Sequence, residues 1–389
     1  MINEVISTDK CTGCSACENI CPVACISMAA DKEGFLQPSC DQSKCIHCDL
    51  CEKVCPVLNV PQLSQFTKCY GAYSLDDETR RQSSSGGIFS EIAKEVLNLG
   101  GRVYGSAYDS SWHVHHICID NIEDLRQLRG AKYSQSDLGT CFFGVKTNLR
   151  EGYKVLFSGT PCQVAGLKNF LQDSYENLVT VDFICHGVPS PAAWDAYVRY
   201  RARKDNEGKS AVDINLRSKR TGWSRYHYSN VYRYPSGKEY SALSGEDLYM
   251  QLFTGDYINR GSCAHCSFKG YDRASDITLG DFWGVWDEVP QMDDNKGTSV
   301  VLVHTNRGEQ LFQKVSGRVK SCAVTPEQAA AQNPSLLVSA AANEKRGKML
   351  AFAVEEDYRC IQTVMQKKSY GKQFLVKLKG KIRFCDHDR

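Results

Sequence analysis

The sequence predicts an α+β protein, a small two-cluster metal domain fused to a larger α/β body. Three observations carry this. Ten of the twenty cysteines fall between residues 11 and 55. Two cysteine runs within that stretch share one spacing. Beyond it, strand-like apolar runs alternate with helical periodicity, as βαβ units do. A chain of 389 residues has room for two or three domains.

Bulk properties exclude some classes. The formal net charge is +2, which gives no case for nucleic acid or a membrane surface. No apolar stretch approaches a transmembrane segment. The opening MINEVISTDK lacks a basic n-region and an apolar h-region, so a cytoplasmic location is expected. In such a chain twenty cysteines point to metal rather than disulfides.

The first domain spans residues 1–62. CTGCSACENICP places Cys11, Cys14, Cys17 and Cys21 before Pro22, and CIHCDLCEKVCP places Cys45, Cys48, Cys51 and Cys55 before Pro56. Each is C-x2-C-x2-C-x3-C-P, the bacterial ferredoxin run, in which the fourth cysteine ligates the other cluster. Three thiolates on a tight loop hold three corners of a cubane, and the partner run supplies the fourth. Cys11, Cys14, Cys17 and Cys55 are therefore assigned to one [4Fe–4S] cluster, and Cys45, Cys48, Cys51 and Cys21 to the other. Zinc knuckles are the competing reading, but zinc sites rarely use two such quartets. Cys25 and Cys40 lie outside the pattern and read as small buried residues. Falling cysteine density and Pro61 place a linker at about residues 57–68.

The body opens with SSSGGIFSEIAKEVLNLGG. Ile88, Ile92 and Val96 recur at helical spacing, and Gly100-Gly101 ends the run. Ser83 to Gly87 offer small residues at a helix N-terminus, which suits a phosphate; an ordinary capped helix is the other reading. KVLFSG reads as a strand, TPCQVAGLKNFL as a helix with Thr160 as N-cap and Pro161 at its first position, and LVTVDFI as the next strand. Such a βαβ unit makes its strands parallel neighbours. Cys162 and Cys185 then emerge together at the carboxyl edge, where open sheets place ligands. The helix dipole there favours a Cys162 thiolate.

RGSCAHCSFKG adds Cys263 and Cys266. Cys162, Cys185, Cys263 and Cys266 make four thiolates from three loops, the set for a third [4Fe–4S] cluster. Half of a zinc site, a Cys162–Cys185 redox disulfide, and plain burial compete with it.

Other segments say less. His113 and His115 share a face of the alternating run SWHVHHICID, most simply a solvated one. RYRARKDNEGKS reads as a charged helix end. Arg217 and Lys219, near Trp223, suit an anionic substrate. The basic tail KKSYGKQFLVKLKGKIRF reads as a solvated face, with contact to a partner or membrane surface as the alternative. Cys322, Cys360 and Cys385 carry no pattern.

SSSGG, LRGAKYSQS, VLFSGTPCQVAGL, DFICHGVPSP, CAHCSFK and SDITLGDFWG occur in that order. Together they resemble the family of coenzyme F420 hydrogenase/dehydrogenase beta subunits, in the form with a fused N-terminal ferredoxin domain, over roughly residues 1–340. The resemblance implies that the α/β body is flavin-binding. Its N-terminal part is placed at 69–150, the part with the flavin site and third cluster at 151–340, and a helical, basic tail at 341–389. It also implies FAD beside an iron–sulfur cluster, a combination that joins a two-electron substrate to one-electron carriers. Ser85, Gly86 and Gly87 would then face the phosphates, Lys132 and Tyr133 would sit near the ring system or a phosphate, and Thr160 would line the pocket. Asp281 would bond the flavin or ribose, or is simply a turn residue. His186 would deliver a proton, bond cluster sulfur, or cap the following turn. The expected function is an iron–sulfur flavoprotein oxidoreductase acting on a small-molecule substrate or deazaflavin coenzyme, with a redox partner such as ferredoxin. A non-catalytic electron-transfer subunit of a larger complex is the alternative.

Overall fold

The structure, a computed structural model, describes residues 1–66, 68–224 and 227–365. The basic tail and Cys385 lie outside these residues.

The N-terminal domain is built on an antiparallel hairpin of β1 (Ile26–Ala30) and β2 (Leu36–Cys40), with Ile26 opposite Cys40. Short helices Ala16–Ile20 and Leu50–Lys53 each carry the third cysteine of a run.

The body holds β3 (Lys68–Ser74), β4 (Arg102–Tyr108), β5 (Val114–Ile119), β6 (Val155–Ser158), β7 (Leu178–Phe183), β8 (Asp213–Ser218), β9 (Ser229–Arg233), β10 (Glu239–Leu243), β11 (Ile277–Asp281), β12 (Ser299–Val303) and β13 (Val319–Ala323). Eight of these form one mixed sheet in the order β13-β3-β12-β11-β7-β6-β4-β5. The inner strands β4, β6, β7 and β11 run parallel, and antiparallel strands flank them on both sides. Burial on both faces explains the unbroken apolar run of β12, Val300 to Val303.

The βαβ unit forms as its sequence predicts. Thr160 caps the helix Pro161–Leu171 by accepting from the Gln163 amide, and Gln163 returns a bond to the Thr160 amide. β6 and β7 are parallel neighbours, with Val155 opposite Leu178. On one face the helix Ile88–Asn98 buries Ile88, Ile92 and Val96 with Val103 and Leu156 of the sheet. On the other, Val164, Leu167 and Phe170 pack with Phe142 and Val145. Cys14, Ala16 and Val54 of the N-terminal domain belong to that same core, so the domain is part of the body's packing.

A separate antiparallel sheet, β10-β9-β8, packs with helices Pro191–Asn206 and Arg346–Val354 in a Tyr-rich core around Tyr197, Tyr232 and Tyr249. No described helix is long and apolar enough to cross a membrane.

Candidate metal centre

The two cysteine runs wrap their sites alike. Gly13 and Ser15 flank Cys14 with φ of 67° and 57°, and His47 and Asp49 flank Cys48 with φ of 51° and 58°. Left-handed backbone on either side of the middle cysteine curls each loop around one point. L-residues tolerate it poorly, so a shared constraint holds it.

The first site is buried: Cys14, Cys17 and Cys55 are each 8% exposed. Burial pushes all three thiols up, and each feels Cys11 as a neighbouring charge. The assigned quartet is thus gathered. The second site is near the surface, with Cys48 exposed and Ile46 59% exposed. Cys21, Cys45, Cys48 and Cys51 line one small cavity there. Cys25 and Cys40 line it too; Cys25 is buried, as expected, and Cys40 is only partly so. The hairpin register sets Cys25, just before β1, against the end of β2, and the Asp41 amide donates to the Cys25 carbonyl.

Cys162, Cys185, Cys263 and Cys266 line a cavity of about 360 Å³ at the carboxyl edge of the large sheet. Three loops meet there: the start of the helix Pro161–Leu171, the segment after β7, and the turn Gly261–His265. The expected dipole effect does not decide the Cys162 protonation state. Burial pushes its thiol up to about 12, against the weaker opposing bond with Thr160. Burial raises Cys185 and Cys263 as well. Cys162, Cys185 and Cys263, whose thiols burial disfavours as thiolates, stand beside Cys266, and the four fit a cationic metal centre, whose charge makes thiolates compatible with that burial.

The N-terminal domain closes this cavity: Val5, Ile6, Thr12, Val57 and Leu58 are part of its wall. Two contacts fix the junction. A side chain on Gly166, in the helix begun by Cys162, would meet Cys14 Sγ at 3.0 Å, so glycine permits the approach. Arg260, 2% exposed, donates to the Cys11 carbonyl at 2.7 Å and the Leu36 carbonyl at 2.9 Å. Its own carbonyl accepts from the Cys263 amide. The guanidinium therefore ties the loop of the first site to the third cysteine loop. The sequence reading missed Arg260; proximity to a C-x2-C pair was its only signal.

His186 lies in the cavity wall, with Nε2 2.9 Å from Asp256 Oδ1 and Nδ1 3.3 Å from Ser335 Oγ. Although burial opposes it, the contact with His186 helps hold the Asp256 carboxyl below its usual range. The edge of His186 meets the Phe253 ring at 5.1 Å, and Phe253 contacts Tyr133 at 4.8 Å.

Tyr133 leads to a second polar group. Asp281, at the end of β11, is held in a two-pronged pair by Arg217 at 2.8 and 3.0 Å. Arg217 also reaches Tyr133 Oη at 3.4 Å and the Ser84 carbonyl at 3.2 Å, and lies over the Tyr228 ring. Lys219 donates to the Ser85 carbonyl; burial, then the nearby Arg80 and Arg217 charges, lower its amine to about 7. Lys132 donates to the Arg129 carbonyl at 2.8 Å, and burial lowers it to about 7.

The Ser-Gly loop is tied to the sheet. The Gly86 amide donates to Ser299 Oγ at 2.9 Å and the Ser85 hydroxyl to the Thr298 carbonyl at 3.0 Å, so neither is free for a phosphate. Gly87, at φ 86°, turns the chain into the helix. A Cβ on Gly86 would strike the Ala72 carbonyl at 2.4 Å, so this glycine serves close packing on the sheet. Thr160 is spent as a helix cap. His113 precedes β5 and pairs with Asp109 and Asp195, leaving no shared strand face with His115.

Comparison with known proteins gives three matches along the chain. Residues 10–59 match the 4Fe-4S dicluster domain. Residues 69–141 match the N-terminal domain of the coenzyme F420 hydrogenase/dehydrogenase beta subunit, and residues 152–327 its C-terminal domain. One subunit of the F(420)H(2) dehydrogenase of Methanosarcina mazei is 26% identical over 198 residues, 46% of this chain and 54% of that one. The coenzyme F420-dependent sulfite reductase of Methanocaldococcus jannaschii is 24% identical over 326 residues, 81% of this chain and 47% of that one. The chain thus spans about half the length of these relatives. A chain in a structure of the F420-reducing [NiFe] hydrogenase complex from Methanosarcina barkeri aligns with a TM-score of 0.47 and 17% identity, over 71% of this chain and 91% of that one.

Proposed function

Since the chain belongs to the family of coenzyme F420 hydrogenase/dehydrogenase beta subunits and carries a 4Fe-4S dicluster domain, we propose that it is an iron–sulfur flavoprotein oxidoreductase. Electrons would pass between the dicluster domain, a third [4Fe–4S] cluster, FAD and an organic substrate or deazaflavin coenzyme. One observation carries this reading: the N-terminal domain walls the cavity lined by Cys162, Cys185, Cys263 and Cys266.

Cys162, Cys185, Cys263 and Cys266 would hold the third cluster. Gly166 and Arg260 keep the first cysteine loop against this site. The second site, nearer the surface, is the natural side for exchange with an external carrier.

FAD would supply two-electron chemistry at the far end of the relay. Supporting its placement are polar atoms that burial leaves without partners among the described residues: Arg217 Nε, Tyr108 Oη and Tyr232 Oη. Buried polar groups are rarely unmatched unless something else meets them. Arg217 orients Tyr133 and Asp281 there, and Lys132 and Lys219 offer cationic capacity that an anionic group would restore. His186, oriented by Asp256, is the candidate to hold or move a proton at Nε2.

The second reading, a non-catalytic subunit of a larger complex, is favoured by the exposed apolar residues Ile46 and Val23 beside the second site. Iron and flavin content, measured per chain on protein purified without oxygen, tests the proposal. About twelve irons with one flavin is expected for three cubanes. Eight irons without flavin would overturn the enzyme reading. Cys162→Ser should lose about four irons and leave the dicluster domain loaded.

A further inference from the structure

The second cysteine site holds more thiols than a cubane uses, and three of them are set at a closer spacing, with a fourth beside one of these. Cys21 Sγ lies 3.4 Å from Cys25 Sγ, and Cys25 Sγ lies 3.8 Å from Cys40 Sγ. The sulfurs of Cys25, Cys40 and Cys45 all fall within 4.8 Å of one another. In a tetrahedral site with zinc–sulfur bonds of about 2.3 Å, neighbouring sulfurs stand about 3.8 Å apart. The cavity that these cysteines line together with Cys48 and Cys51 is about 20 Å³, room for one water-sized particle.

The framework that sets this spacing is secondary structure. Ile26 pairs with Cys40, and the Asp41 amide donates to the Cys25 carbonyl, so Cys25 and Cys40 are fixed at one end of the hairpin. The Cys25 amide donates to Cys21 Sγ at 3.3 Å, which fixes Cys21 beside the hairpin end. Cys25 is 5% exposed. Neither Cys25 nor Cys40 belongs to either C-x2-C-x2-C-x3-C-P run.

We infer that Cys25, Cys40 and Cys45 hold a single Zn2+ ion through three thiolates, with Cys21, whose Sγ lies 3.4 Å from that of Cys25, as the fourth thiol in reach. Cys21 and Cys45 are shared with the second cubane, so the two occupants exclude each other. Binding is a plain exchange: each protonated thiol releases one proton as its sulfur bonds the metal, and nothing is oxidised or reduced. The single ion keeps the hairpin and the second cysteine loop tied together when the cubane is lost. It also removes the redox centre nearest the surface, since zinc carries no electrons.

The full-length chain tests this. The double variant C48S/C51S withdraws two ligands from the second cubane and leaves these four thiols intact. Purified without oxygen and loaded with Zn2+, it should retain about eight irons and bind one zinc, read by native mass spectrometry. Co2+ in place of zinc should give the absorption of a tetrahedral thiolate complex. Adding C25S and C40S to that variant should abolish the zinc without further loss of iron. In the otherwise unaltered chain, C25S/C40S should keep about twelve irons. The inference fails if C25S/C40S alone loses about four irons, because those residues would then serve the cubane. It also fails if C48S/C51S takes up no metal, or if Cys25 and Cys40 are found joined as a disulfide there. A folding defect is separated by urea unfolding of each variant, and iron at the first and third sites reads out independently.

Discussion

Gly166 and Arg260 show how single residues set the distance between two metal sites. Gly166→Ala forces a methyl to 3.0 Å from Cys14 Sγ, and overpacking of this kind costs about 1–3 kcal/mol. We expect a lower urea midpoint and an altered paramagnetic signal of the reduced first cluster, with iron content retained. Arg260→Ala leaves the Cys11 and Leu36 carbonyls without their buried donor, a loss of about 3 kcal/mol in unfolding experiments. Arg260→Lys should not rescue it, because an ammonium cannot reproduce the guanidinium fork. Asp182 and His304 titrate in opposite senses through Thr278, which bonds both. Burial raises Asp182 from 3.8 to about 6 and lowers His304 from 6.5 to about 4. The folded state therefore binds the Asp182 proton more tightly than the unfolded chain. That contribution, on the order of 3 kcal/mol, is full below pH 4 and lost as pH rises through 6. His304 contributes at neutral pH and loses its contribution as pH falls through 6.5 towards 4. Asp182→Asn should remove the first slope from a stability–pH curve and His304→Gln the second; unchanged curves would refute both assignments.

At the scale of elements, the helix Pro161–Leu171 links a local sequence signal to the site. Thr160→Val removes its capping hydroxyl and should cost about 1 kcal/mol, while leaving Cys162 in place. Iron content should stay near that of the unaltered protein, whereas the thermal midpoint falls; a loss of about four irons would instead make Thr160 part of the metal site. This element was legible in advance because every signal was local: Thr-Pro at the start, Gln163 closing the box, strands of the right length on either side. The cysteine runs were legible for the same reason. What escaped was non-local. The amide of Gly86 looked free until the sheet placed Ser299 beside it, 213 residues along the chain. Arg217 and Asp281 were noted separately, but their pairing depends on two different sheets meeting. Cys25 and Cys40 carry no motif; only the hairpin register brings their sulfurs together.

At the scale of the whole molecule, the N-terminal domain is a wall of the body's cysteine cavity. Removing residues 1–62 should expose Cys162, Cys185, Cys263 and Cys266 to solvent. In a truncated chain we expect faster loss of the iron they hold on exposure to air, followed by visible absorption, than in the full-length protein. Equal rates would mean that the wall does not protect them. The strand order carries a consequence of another kind. β3, beginning at Lys68, has as its sheet neighbours only β12 and β13, which begin at Ser299 and Val319. A ribosome must therefore deliver more than two hundred further residues before β3 can be paired. Through that interval both edges of β3 are open to chance pairing with other chains. Synthesis of this protein has a built-in waiting time, during which its N-terminal cysteines are already out of the tunnel while the sheet behind them is still unfinished.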